Sequence, residues 1–233
     1  DVRLSANWMW AAKLDGEGAR MYEACEALCD ALITTGTAVD GGKDSLSMAA
    51  ADGQGGVCRS PGALTLTAYA TCTDITATIT PDLKRGGGGL VFVDLGTSAL
   101  GGSDLAQALG QLGSEAPDSD VDACTKAFDI VQTLIKDQLI VAGHDRSDGG
   151  LVTTLLEMAF AGGCGISCSF TGSDWATVLF NEAPGLVVQC SKGKENAVLQ
   201  AFSGLKAVQC GSIVAEDCSI SVNGSEVLQA PLR

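Results

Sequence analysis

Residues 140–162 read Ile140-Val141-Ala142-Gly143-His144-Asp145-Arg146-Ser147-Asp148-Gly149-Gly150-Leu151-Val152-Thr153-Thr154-Leu155-Leu156-Glu157-Met158-Ala159-Phe160-Ala161-Gly162. A short apolar strand, Ile140 to Ala142, runs into an acidic, hydroxyl-bearing turn from His144 to Gly150. A helix follows from Leu151 to Ala161, with Leu151, Leu155, Leu156 and Ala159 inward at helical spacing. The N-terminus of such a helix exposes unpaired N–H groups and a partial positive charge. Asp145 can give a carboxylate oxygen to a hard cation. Ser147 can hydrogen-bond a phosphate, and Gly149 and Gly150 let the backbone approach a ligand closely. A plainer reading stands beside this one: Ser147 or Asp148 caps the helix, a role worth about 1 kcal/mol. His144, the only histidine, is either a general base or a histidine hydrogen-bonded within the turn.

Working outward, the same periodicities place the other elements. Glu17 to Ile33 reads as a helix with Tyr22, Cys25, Leu28, Cys29, Leu32 and Ile33 on one face, stopped by Gly36. Two strand-like runs lie between Thr37 and Ala49, and Ala63 to Cys72 alternates as a strand with one buried face. Pro81 to Gly89, with a proline, two basic residues and four consecutive glycines, reads as a boundary with little to hold it in one conformation. Beyond it come a buried strand, Leu90 to Leu95, and a helix capped by Ser103 and running to about Leu112. An amphipathic helix, Asp122 to Gln138, precedes the quoted stretch. After that stretch the pattern gives a strand at Gly185 to Cys190, a helix at Lys194 to Phe202, and short strands at Ala207 to Val214, Ser219 to Val222 and Glu226 to Leu228. The Asn223-Gly224 turn joins the last two as a hairpin. Helices and strands alternate in mixed fashion, which predicts an α+β architecture with helices against one face of a mixed sheet.

The chain has 233 residues and a formal charge of −14. An acidic balance argues against a nucleic-acid surface, which needs clustered Lys and Arg. It leaves a nucleotide open, because backbone N–H groups and a bridging metal can hold phosphates. No segment has the roughly 18 continuous apolar residues that a membrane span needs, and 1–13 lacks the pattern of a signal peptide. The chain opens directly into motif-like sequence, as a fragment would. Ten cysteines are compatible with a disulfide scaffold, but the reading adopted is a reduced, cytoplasmic chain. Cys25, Cys29, Cys72 and Cys190 fall at apparent core positions, where buried thiols act as small hydrophobes. Cys164 and Cys168 lie far in sequence from His144, which makes zinc a poor fit.

Three further segments carry polar residues beside apolar runs. In Gly41-Gly42-Lys43-Asp44-Ser45-Leu46-Ser47-Met48, Lys43 offers a point charge to phosphate and Asp44 can serve a metal. The spacing is not that of a P-loop, and a hairpin turn with an exposed ion pair is the plainer reading. Ser5-Ala6-Asn7-Trp8-Met9-Trp10 reads as core aromatics with a capping Asn, and Phe180-Asn181-Glu182 as a turn.

Taken in order, Arg3 to Met9, Gly42 to Met48, His144 to Leu151, Leu156 to Gly162 and Leu179 to Glu182 resemble the second half of the synthetase region of the formylglycinamide ribonucleotide amidotransferase family, over nearly the whole chain. The resemblance implies an aminoimidazole-ribonucleotide-synthetase-like fold, α+β / α/β. It has the remainder of an N-terminal-type domain at 1–82 and a C-terminal-type, ATP-binding superfamily domain at 86–233. It implies an ATP- and glutamine-dependent carbon–nitrogen ligase that converts formylglycinamide ribonucleotide to the amidine in purine biosynthesis, with Mg²⁺ and ATP or ADP bound. Carried over residue by residue, Asp145 and Asp44 are metal ligands, and Ser147, Lys43 and Ser45 contact the nucleotide. No catalytic residue falls in this stretch. The first synthetase half and a glutaminase domain are the implied partners, without which the fragment is inactive; no nucleic acid or membrane partner is implied. Two alternatives share these motifs: a non-catalytic, structural nucleotide-binding half, and another synthetase of the superfamily.

Overall fold

In a computed structural model, which describes residues 2–232, the chain divides after Ile75 into two units. The first holds β1 (Arg3–Met9), α1 (Glu17–Thr35), β2 (Ala38–Gly42), β3 (Ala49–Ala51), β4 (Val57–Arg59) and β5 (Ala63–Tyr69). β1 is central, parallel to β2 and antiparallel to β5, while β3 and β4 form their own antiparallel pair. Gly42 is required where β2 meets β1: its φ is +155°, and a side chain there would run into the Ala6 carbonyl. Trp8 and Trp10 are buried with ring centroids 6.0 Å apart. Asn7 caps nothing; it sits in β1 opposite Thr65. Glu17 is buried at the first turn of α1, and its Oε1 pairs with Arg20 at 2.9 Å and Arg59 at 2.7 Å.

The apolar face expected of α1 is corrected. Its better-covered residues are Met21, Ala24, Leu28, Ala31 and Leu32, whereas Tyr22, Cys25, Cys29 and Ile33 are exposed. The helix carries two apolar stripes at helical spacing, and the chain described here covers one of them. Cys72 is likewise exposed, not a core residue.

The second unit holds β6 (Leu90–Asp94), α2 (Asp104–Ala108), α3 (Val121–Lys136), β7 (Ile140–Arg146), α4 (Gly150–Gly162), β8 (Gly165–Phe170), α5 (Trp175–Phe180), β9 (Gly185–Cys190), α6 (Glu195–Ala201), β10 (Lys206–Val214), β11 (Asp217–Val222) and β12 (Ser225–Pro231). Its seven strands lie in the order β12-β11-β8-β10-β6-β9-β7, all neighbours antiparallel except β8 and β11. The strands of β6 show how the sheet is used: Leu90 and Phe92 pack with Leu151, Leu155 and Met158 of α4, while Val91 and Val93 pack with Leu134 of α3 and Val198 of α6. Helices therefore cover both faces of the mixed sheet along β6, β9 and β7, and one face along β8, β10, β11 and β12. The near-continuous apolar run of β6 is what a two-faced strand requires.

The segment Pro81 to Gly89, expected to have little to hold it, is held. Residues 76–85 fold with the second unit. Leu83 is buried and its N–H donates to the Met158 carbonyl at 3.3 Å. The fully buried Gln189 accepts from Lys84 N–H at 2.7 Å and donates to Lys84 O at 2.9 Å. A side chain 105 residues away thus pins a segment whose composition reads as free.

Candidate functional site

β7 is longer than its apolar start. His144, Asp145 and Arg146 pair with Val187, Leu186 and Gly185 of β9, so the first three residues of the motif are strand and the turn is confined to Ser147–Gly149. Strand alternation then sends neighbours apart. Arg146 is buried and Asp145 faces solvent with a side chain 78% exposed.

Asp145 and Ser147 line one cavity of about 530 Å³, together with Asp148, Glu182, Gly101, Gly102 and Pro117. The capping alternative does not hold. The N-cap of α4 is Gly149, with no side-chain cap bond, so neither Ser147 nor Asp148 is occupied in closing the helix. Two N–H groups at the helix end are taken, however. Gly149 N–H donates to Glu182 Oε1 at 2.9 Å, and Gly150 N–H donates to the Ser147 carbonyl at 3.0 Å. Gly150, at φ +74°, makes room for the chain's own backbone: a Cβ there would stand 2.6 Å from the Leu179 carbonyl oxygen. The glycine serves the packing of α4 against the end of α5, which is not the ligand approach expected of it.

His144 is bracketed by carboxylates. Its Nδ1 stands 3.1 Å from Asp145 Oδ1, and its Nε2 stands 3.0 Å from Glu157 Oε2 on α4. A carboxylate that ligates a metal is commonly oriented by an outer hydrogen-bond partner of this kind. Thr154 Oγ1 donates to the Asp145 carbonyl at 3.0 Å, which fixes the end of β7 to α4. Arg146 Nη2 donates to Asp94 Oδ1 at 2.6 Å and to the Pro184 carbonyl at 3.0 Å, and its guanidinium lies 5.2 Å from the Phe92 ring centroid. Burial pushes the Arg146 guanidinium down from its ordinary value, and Asp94 opposes that push.

Lys43, Asp44 and Ser45 belong to the first unit. They form no hairpin. The segment runs on from β2 alongside β1, with Lys43 N–H donating to Ala6 O at 3.0 Å and Ser45 N–H to Trp8 O at 2.7 Å. Lys43 Nζ donates to the Ser45 hydroxyl, and Lys43 and Asp44 are exposed. Among the described residues no three of His, Cys, Asp and Glu gather as a metal site. All ten cysteines are free thiols. No helix of the described residues is long and apolar enough to cross a membrane. Sequence reasoning left out Glu182, Glu157 and Asp94 as parts of the site. The one available signal was Phe180-Asn181-Glu182, read as a turn.

The fold and this cavity define a class. Residues 87–223 match the model of the AIR synthase related protein, C-terminal domain, and the chain belongs to that family. Residues 1–71 match the FGAR-AT PurM_N-like domain. More particularly, the chain is similar to the phosphoribosylformylglycinamidine synthase of Homo sapiens, 49% identical over 245 residues, covering 100% of this chain and 18% of the human protein. It is 54% identical over 208 residues to the probable phosphoribosylformylglycinamidine synthase, chloroplastic/mitochondrial, of Arabidopsis thaliana, covering 86% of this chain and 15% of that protein. The chain thus spans less than a fifth of either relative's length. Among solved structures, T. maritima PurL complexed with FGAR superposes with a TM-score of 0.72 at 13% identity, over 99% of this chain and 38% of that one. T. maritima PurL complexed with ATP gives 0.68 at 16% identity, over 99% and 36%. The family resemblance carried by the five ordered motifs holds, and so does the α+β fold it implied.

Proposed function

We propose that the chain works within a longer ATP- and glutamine-dependent ligase that makes formylglycinamidine ribonucleotide from formylglycinamide ribonucleotide, and that its second unit holds a magnesium-bound nucleotide. The observation that carries this reading is the pairing of Asp145 and Ser147 on one open cavity, both free of capping duty. The donor set fits a hard cation: an exposed carboxylate oxygen with a histidine behind it. One protein carboxylate is enough where substrate phosphates and water complete the shell, which is the usual manner of Mg²⁺. Bound there, Mg²⁺ would spread the crowded negative charge of the phosphates.

The chain's own residues then have separate tasks. Asp145 ligates the cation, His144 with Glu157 holds that carboxylate in one orientation, and the Ser147 hydroxyl donates to a phosphate oxygen. Lys43 and Ser45, with Asp44, are proposed as a second ligand-facing segment in the first unit, supported by their exposure and by the ordering of Lys43 through Ser45. The formylglycinamide ribonucleotide, the first synthetase half and a glutaminase domain are the proposed partners, in keeping with relatives more than five times as long. Ten free thiols support a reducing, cytoplasmic setting.

The test is Asp145→Asn in the full-length enzyme. Mg²⁺-dependent retention of ADP through purification is expected to fall by at least tenfold. Nucleotide content equal to that of the wild type would refute the assignment of Asp145.

A further inference from the structure

The turn after α5 is a motif of the sequence that the proposed function leaves without a task. Glu182 Oε1 accepts two N–H groups from different elements: Gly149 at 2.9 Å, at the start of α4, and Asp104 at 2.8 Å, at the start of α2. Its neighbour Asn181, 3% exposed, does the same kind of work one residue earlier. Its Nδ2 donates to the Thr97 carbonyl at 2.6 Å, on the segment between β6 and α2, and its Oδ1 accepts from Ala183 N–H at 2.7 Å. Glu182 thus ties the end of the Ser147–Gly149 turn to the start of α2, and Asn181 ties the turn after α5 to the segment before α2; Ser147, Glu182, Gly101 and Gly102 all line the cavity.

From this geometry we infer that Glu182 is a positioning residue: a carboxylate clamp that holds the Ser147–Gly149 turn to the start of α2, next to Gly101 and Gly102 in the chain. The inference rests on the nucleotide reading given above for what the cavity binds. The clamp also changes how an anion can be held. Helix N-termini attract phosphates through free N–H groups and a partial positive charge. Here the protein's own carboxylate has taken that N–H at α4. The Ser147 hydroxyl and a cation on Asp145 are then the groups of this wall left to meet a phosphate. A positioning carboxylate and a metal-ligating carboxylate make different demands. The first needs an oxygen that accepts two N–H bonds, which a glutamine supplies. The second needs the negative charge, which a glutamine lacks.

The experiment compares Glu182→Ala, Glu182→Gln and Asp145→Asn in the full-length enzyme. Two readouts are taken. One is deuterium uptake in peptides spanning 147–150 and 103–107, without nucleotide. The other is the affinity for Mg-ADP by calorimetry. With Glu182→Ala, exchange at both starts is expected to quicken by about tenfold, since each loses one charge-assisted hydrogen bond, and Mg-ADP affinity to fall by at least tenfold. Glu182→Gln is expected to restore both to within about threefold of the wild type. A Glu182→Gln enzyme with normal exchange but Mg-ADP binding as weak as in Glu182→Ala would make Glu182 a direct ligand and overturn the inference. Unchanged exchange in Glu182→Ala would overturn it equally. Because the exchange readout needs no nucleotide, it is separable from the reading of the cavity. If Asp145→Asn binds Mg-ADP normally, that reading fails, while quickened exchange in Glu182→Ala still supports the clamp.

Discussion

Arg146 sits between the two residues proposed to face the nucleotide, yet its guanidinium is almost wholly withdrawn from water, with a side chain 2% exposed. Three acceptors meet it: Asp94 and the Ala183 and Pro184 carbonyls. A buried pair is costly to break, because the partner left behind keeps its charge without compensation. Arg146→Ala is expected to lower stability by about 3 kcal/mol, read as a shift of the urea midpoint; a change under about 0.5 kcal/mol, the size of an ordinary surface substitution, would contradict the pairing. Lysine should not rescue it, since a point charge cannot reach both the carboxylate and the carbonyls. Residue types in the motif suggested chemistry at Asp145 and Ser147. They could not separate these from Arg146, because facing depends on where β7 ends, and β9 extends β7 through the motif by pairing with it. Glu157 and Glu182 reach the site across 13 and 33 residues of sequence, a distance over which spacing carries no signal.

At the scale of elements, long periodic segments were legible and short ones were not. α3 and α4 follow from their apolar spacing, and the Asn223-Gly224 hairpin from its turn residues, whose φ values are +53° and +77°. β8, Gly-Ile-Ser-Cys-Ser-Phe, hides its alternation behind small residues. α5 has only six residues, too few for a helical period to show. α2 ends at Ala108, short of the expected Leu112, with Gly110 at φ +66° just beyond it. The two stripes of α1 make the sharper lesson: period alone does not say which stripe is packed. They also lead to a labelling pattern. In the chain described here, Cys25 and Cys29 on α1 are exposed, whereas Cys168 on β8, Cys190 on β9, Cys210 on β10 and Cys218 on β11 are buried. Burial, with Glu195 nearby adding to it, pushes the Cys190 thiol up to about 12, so it stays protonated at pH 8 and gains thiolate only as the pH rises toward that value. Cys168 is raised as well, by its neighbour Cys210 and by burial. An aromatic disulfide reagent at pH 8 is expected to modify Cys25 and Cys29 within minutes and the four sheet thiols only after unfolding, read by peptide mass spectrometry. Fast labelling of Cys190 in the native chain would contradict the packing of β9.

Across the second unit, the seven-stranded sheet is covered on both faces along β6, β9 and β7 and leaves the end of β7 and the start of α4 at the mouth of a cavity. A sheet packed on two sides is a rigid frame, and the residues proposed to bind are carried at its edge by β7, the outermost strand on that side. The family was readable from five motifs in order because each is short but their order along one chain is specific. Which groups stay free to bind was not readable, because that depends on Glu182 having claimed the Gly149 N–H. The most direct measurement replaces Mg²⁺ with Mn²⁺ in crystals of the full-length enzyme with ADP and locates the metal by its anomalous scattering. A Mn²⁺ peak about 2.1–2.2 Å from an Asp145 carboxylate oxygen, with Ser147 Oγ within hydrogen-bond distance of a phosphate, is the expected result; a metal–nucleotide complex bound elsewhere, with Asp145 and Ser147 facing only water, would contradict it.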